Sequence, residues 1–181
     1  MAVADLEPSL YFTDVDHALR WAEETLTRPR YSTPLQIKKG SPQAAEDMLC
    51  LAHTISLAVA EIQPPFPAAV LRFLNAAFPS MGHVESLSDV LSRQATIPGK
   101  PRYLLAYCVL TAERRRHLNL RRIPVRETAQ VLRVSPRTFF RAFVQTGRWA
   151  ELSRLVQEGA EAARGKAAEV LAMKGVTVGK G

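Results

Sequence analysis

A chain of 181 residues, 47% hydrophobic and 23% charged, has the size of one ordinary domain or two small ones and enough apolar material to build a core. No apolar run reaches the ~18–20 residues of a membrane-spanning helix; the longest, residues 48–62, is broken by His53, Thr54, Ser56 and Glu61. The net charge of +7 is unevenly placed: residues 1–99 carry 7 Lys and Arg against 11 Asp and Glu (−4), and residues 100–181 carry 17 against 6 (+11). Such a split points the second half toward a polyanion.

The opening residues, Met-Ala-Val-Ala-Asp-Leu-Glu-Pro, have no positive flank and no long apolar stretch, so no signal peptide is expected. Val15, Leu19, Trp21, Ala22 and Leu26 recur at helical spacing and predict a helix over 13–26, with Thr13 as N-cap and Asp14 and Asp16 in the first turn, where the helix dipole favours acids. Pro29, Pro34 and Gly40 mark a connector over 28–40. Ser41-Pro42 then supplies an N-cap and a first-turn proline for a long helix to about residue 62, which Pro64, Pro65 and Pro67 stop. Shorter helices are predicted over 67–78, on Val70, Leu71, Phe73 and Leu74, and over 83–94, on Val84, Leu87, Val90 and Leu91.

Pro98, Gly99 and Pro101 coincide with the change in charge sign. They divide the chain into a net-acidic helical region, 1–97, suited to oligomerisation or partner contact, and a basic region, 98–181. The basic region opens with a helix over 102–118 that is apolar through Tyr103, Leu104, Leu105, Tyr107, Val109 and Leu110 and ends in Arg114, Arg115, Arg116 and His117. A helix rich in Ala and Glu is predicted over 148–173, despite Gly159 and Gly165, and the tail over 175–181 is expected to be mobile. No repeat and no run of alternating strand pattern interrupts the helical reading, so the fold class expected is all-α.

Residues 124–143, Pro-Val-Arg-Glu-Thr-Ala-Gln-Val-Leu-Arg-Val-Ser-Pro-Arg-Thr-Phe-Phe-Arg-Ala-Phe, read as two helices joined by a tight turn. Ala129 is small enough for close approach of the helices, and Leu132 and Val134 flank the turn with apolar groups. Ser135 stands where an N-cap is needed and Pro136 at the first helical position. Phe139, Ala142 and Phe143 then fall inward, while Arg137, Thr138 and Arg141 fall outward near the start of a second helix over about 136–146. That arrangement suits a recognition helix in a major groove, where arginine can take guanine bidentately. Arg126, Arg133 and the cluster Arg114, Arg115 and Arg116 are expected on phosphates, with Arg121 and Arg122 as secondary candidates.

The run Leu132-Arg-Val-Ser-Pro-Arg-Thr-Phe-Phe-Arg141 resembles the Leu-Gly-Val-Ser-x-Arg-Thr-Val-x-Arg core of helix-turn-helix regulators, sigma-factor region-4-like domains included, over about 20 of the 181 residues. Arg133 replaces the usual turn glycine, and Phe139 replaces the usual Val or Ile. More loosely, the order of elements resembles small phage late-gene regulators, antiterminators among them, and the small subunits of phage terminases. The resemblance implies binding to phage DNA and, for antiterminators, contact with RNA polymerase.

Other chemistry finds little footing. His17, His53, His83 and His117 lie in separate segments without ligand spacing, so no metal is expected. Gly99-Lys100 lacks the rest of a phosphate loop, no serine sits in a nucleophile elbow, and neither an enzyme nor a cofactor is expected. Cys50 and Cys108 lie in apolar stretches as small buried hydrophobes, in a protein expected to be cytoplasmic, and Trp21 and Trp149 are expected in the core. The function expected is a sequence-specific double-stranded DNA-binding transcription regulator, with RNA polymerase or a second copy of the chain as further partner. A ring-forming DNA-packaging recognition subunit and a helical protein–protein adaptor with a purely structural helix-turn-helix are the alternatives.

Overall fold

A computed structural model of the chain describes residues 11–27, 42–76, 79–94 and 102–179. The fold is all-α: α1 (Val15–Thr27), α2 (Pro42–Ala60), α3 (Pro65–Asn75), α4 (Met81–Gln94), α5 (Arg102–His117), α6 (Val125–Val131), α7 (Pro136–Phe139) and α8 (Arg148–Met173). The expected Ser41 cap, the connector over 28–40 and the boundary at 95–101 lie outside the described residues.

Two ends of the chain meet in a parallel pair of two-residue strands, β1 (Tyr11–Phe12) and β2 (Thr177–Val178), in the register Tyr11–Thr177 and Phe12–Val178. The tail expected to be mobile is therefore tied down through residue 179. Gly175, at φ 77°, ends α8, and Val176 N–H then bonds Leu171 O at 2.9 Å while its side chain is buried.

Two hydrophobic clusters share the interior. The first joins α3, α4 and α5 to the segment 129–143 and the start of α8, through Leu91, Leu105, Val109, Leu110, Leu152 and Val156. The second joins α1, α2 and one side of α3 to the rest of α8, through Leu19, Ile55, Val59, Leu71, Ala167 and Leu171. Residues before 97 and after 98 contribute to both clusters, so the packing is continuous across the change in charge sign.

The N-terminus of α1 corrects one expectation. Asp14, not Thr13, caps it, its Oδ1 accepting from His17 N–H at 2.6 Å. Asp16 is thereby left for a tertiary role: it accepts from Arg164 Nε of α8 at 2.7 Å and from Asn75 Nδ2 of α3 at 2.6 Å. Asn75 Oδ1 in turn accepts from His117 Nε2, at the end of α5, at 2.9 Å. Four helices thus meet on one part-buried polar hub.

Burial holds His117 below its ordinary value of 6.5, outweighing the upward pull of Asp16. Burial also lowers His83, with Arg72 adding to it. The unfolded chain therefore takes up these protons first. Stability is expected to be lost as pH falls below about 6.5, and a His83→Gln/His117→Gln variant should show a flatter denaturation midpoint across that window. Asp16→Ala removes a carboxylate that is only 16% exposed from a charged pair. Denaturant unfolding should register a loss of about 2 kcal/mol, the scale of a hydrogen-bonded charge that is partly solvated.

Candidate nucleic-acid interface

The candidate interface is built on three consecutive turns. The first follows α5, where Asn119 takes φ 52° and Leu120 N–H bonds Arg115 O at 2.8 Å. Arg115 Nε then donates to Arg121 O at 2.7 Å, which fixes the chain leading to α6.

The second turn is the one the sequence marked. Arg133 adopts φ 55°, the left-handed conformation that glycine usually supplies. Its N–H bonds Gln130 O at 3.0 Å and Val134 N–H bonds Ala129 O at 3.0 Å, the paired bonds of a Schellman cap. Ser135 then caps α7, its Oγ accepting from Thr138 N–H at 3.1 Å and lying 2.8 Å from the Thr138 hydroxyl, with Pro136 at the first position.

The second helix ends sooner than expected and changes its winding. Residues Phe140–Val144 continue α7 as a π-helical turn, closed by Gln145 N–H on Phe140 O at 2.9 Å. Residues 145 and 146, expected in the helix, form the third turn, which Gly147 completes at φ 74°.

Phe139 and Phe143 are buried as expected, with ring centroids 5.9 Å apart. Trp149, half-buried at the start of α8, meets Phe139 edge-on at 5.6 Å and fills the wider space that a phenylalanine demands at this position. Trp21 also packs as expected, 5.4 Å from Phe12 against the other core.

The arginines divide by role. Residues 114–150 hold ten arginines, no lysine and one acid, Glu127. Arg114 belongs to the interior: its Nη2 donates to Ala76 O at 2.5 Å, its guanidinium lies 6.0 Å from the Phe73 ring, and burial lowers its pKa. Arg115 holds the loop as described. Of that cluster only Arg116 is exposed, 3.5 Å from Glu113.

Arg121, Arg122, Arg126, Arg133, Arg137 and Arg141 are all exposed, and among the described residues none of their side chains has a hydrogen-bond or ion-pair partner. Among the described residues outside this segment, cations are mostly paired, as in Arg164–Asp16 at 2.7 Å, Arg93–Asp89 at 2.6 Å and Arg154–Glu158 at 2.9 Å. Unpaired guanidiniums on a helical surface can take phosphate or a guanine edge without first breaking an existing bond.

Two features escaped the sequence reading. Phe140 and Val144 stand exposed on the same outward stripe as Arg137 and Arg141. In addition, a cleft of about 370 Å3 opens between α5 and α6, bordered by Tyr107, Thr111, Arg115, Arg121, Arg122 and Glu127. Cys108 lines the same cleft; burial pushes its thiol up to about 11, which makes it a poor nucleophile, whereas Cys50 is exposed, against expectation.

Among the described residues no group of three His, Cys, Asp or Glu side chains is placed to hold a metal ion, and no helix is long and apolar enough to cross a membrane. No protein-family model, curated protein or solved structure matches the chain.

Arg133→Gly should relieve the left-handed strain, offset in part by the backbone entropy of glycine, and raise stability by about 0.5–1 kcal/mol in denaturant unfolding. Ser135→Ala removes the cap of α7 and should lower it by about 1 kcal/mol.

Proposed function

We propose that this chain is a sequence-specific double-stranded DNA-binding protein that acts in transcription control, with α7 and its π-helical continuation entering the major groove. The observation that carries the proposal is the set of six exposed arginines on the turns and helices of residues 121–141 whose side chains have no partner among the described residues, whereas Arg93, Arg154 and Arg164 are each paired with an acid. Arg137 and Arg141, one helical turn apart, are assigned to base edges, with Thr138 and Pro136 beside them at the start of the helix. The hydroxyl of Thr138 already meets Ser135, so its methyl is the group left for a contact. Arg126, Arg133, Arg121 and Arg122 are assigned to phosphates, with Arg116 as an outlying contact. Arg114 and Arg115 are withdrawn from that role because the fold uses them.

The acidic N-terminal region is assigned to a protein partner, RNA polymerase or a second copy of the chain, as in a phage late-gene regulator working in the cytoplasm. Arginine rather than lysine throughout the segment favours planar, bidentate recognition over simple charge neutralisation.

Duplex binding measured against salt tests the proposal. The four arginines assigned to phosphates, with the outlying Arg116, predict a slope of log K on log salt of about −4, at roughly 0.9 per contact. A flat dependence would leave the adaptor reading in its place, and a closed ring by mass in solution would favour the packaging subunit. Arg137→Ala/Arg141→Ala should abolish discrimination among sequences, about 1–3 kcal/mol for each contact, while unfolding as the parent does. Undiminished discrimination in that variant would refute the assignment of the recognition helix.

A further inference from the structure

The outward stripe of the proposed recognition helix is not simply basic. Residues 137, 140, 141 and 144 follow one another at spacings of three, one and three, which places them on one helical face. Arg137 and Arg141 alternate there with Phe140, 51% exposed, and Val144, 39% exposed. The fold has no use for this apolar pair, because Phe139 and Phe143 already fill the core from the opposite side and close on Trp149. The π-helical turn spans both residues, closed from Phe140 O to Gln145 N–H, and such turns recur where a helix must aim side chains at a ligand.

We propose that Phe140 and Val144 read the 5-methyl groups of thymine, so that the target contains thymines beside the guanines taken by Arg137 and Arg141. This rests on the DNA-binding reading above. Charge decides the occupant. Arg137 and Arg141 flank the apolar pair on the same stripe, without side-chain partners among the described residues, and a second copy docking by that stripe would bring four like charges together in one isologous contact. A polyanion has the opposite preference. In the major groove of duplex DNA, the thymine methyl is the apolar group presented among hydrogen-bonding edges, and phenylalanine is suited to it. The stripe and the groove therefore match in both charge and polarity.

A duplex preferred by the protein is first selected from a random pool, and each of its thymines is then replaced by uracil, which removes only the methyl. Binding by the parent should weaken about fourfold for each contacted methyl, the scale of one buried methyl or methylene. Phe140→Ala should be indifferent to the replacement at one position while keeping the parent's salt slope and thermal midpoint, and Phe140→Leu should restore part of the sensitivity. Equal binding of thymine and uracil duplexes by the parent would overturn the proposal, as would full uracil sensitivity in Phe140→Ala. A change from dimer to monomer in that variant would also overturn it, assigning the pair to self-association. Absence of any salt-dependent duplex binding would refute the underlying DNA reading, a distinguishable failure.

Discussion

The arrangement depends on the burial of one stripe of α8. Over 26 residues, Leu152, Val156, Ala160, Ala163, Ala167 and Leu171 are essentially inaccessible, and they belong to two different cores. Large side chains at the two ends reach into those cores. The small residues between them, with Gly159 against Phe66 and Pro67, allow α3 to lie close to the helix axis. The helix-turn-helix is therefore not a free-standing module. Gly147 turns the chain directly from the π-helical segment into α8, and Trp149 and Leu152 then form part of the wall behind Phe139 and Phe143. The inward face of α7 and its π-helical continuation is thereby held, and its outward face is fixed by exclusion.

The polar hub around Asp16 adds direction to this apolar spine. Hydrophobic burial alone would tolerate some sliding of α1 along α8, whereas a carboxylate shared by Arg164 and Asn75 accepts only one register. His117 closes the same network as the last residue of α5, immediately before the loop that leads into α6. The acidic and basic halves are consequently joined by opposite charges at a point where both are partly shielded from water. Arg121, Arg122, Arg126, Arg133, Arg137 and Arg141, by contrast, have no acid partner among the described residues.

Much of this was legible in the chain. The span of α8 agrees with the helix expected over 148–173 from its Ala and Glu content, and Ser135-Pro136 marks the start of α7 because a hydroxyl and a missing N–H are what a helix start requires. What was not legible has a common cause: the deciding partner lies far away in sequence. Asp16 reads as a first-turn acid until Arg164, 148 positions later, is placed against it. Three consecutive arginines are chemically identical, yet successive residues on a helix point about 100° apart, so that Arg114 goes inward and Arg116 outward. The tail lacks any local signal for order; its strand exists only because Phe12 and Leu171 are there to receive it. Helical spacing with Ala142 and Phe143 already placed Phe139 inward, whereas the exposure of Phe140, the same side chain one position on, is seen only in the structure.

That last distinction changes what the proposed interface can do. A uniformly arginine-covered surface would bind any duplex and lose affinity to all of them alike as salt rises. On a stripe that alternates guanidinium with phenyl and isopropyl groups, the two contributions separate. Phosphate and guanine contacts carry the charge-dependent part of binding, while apolar contact with a base methyl is untouched by counterions. Raising the salt then removes affinity faster than it removes selectivity. Arg133 fits the same division. A glycine would make the turn with less strain, whereas arginine at φ 55° adds one more exposed cation four residues before Arg137, just ahead of the proposed recognition helix.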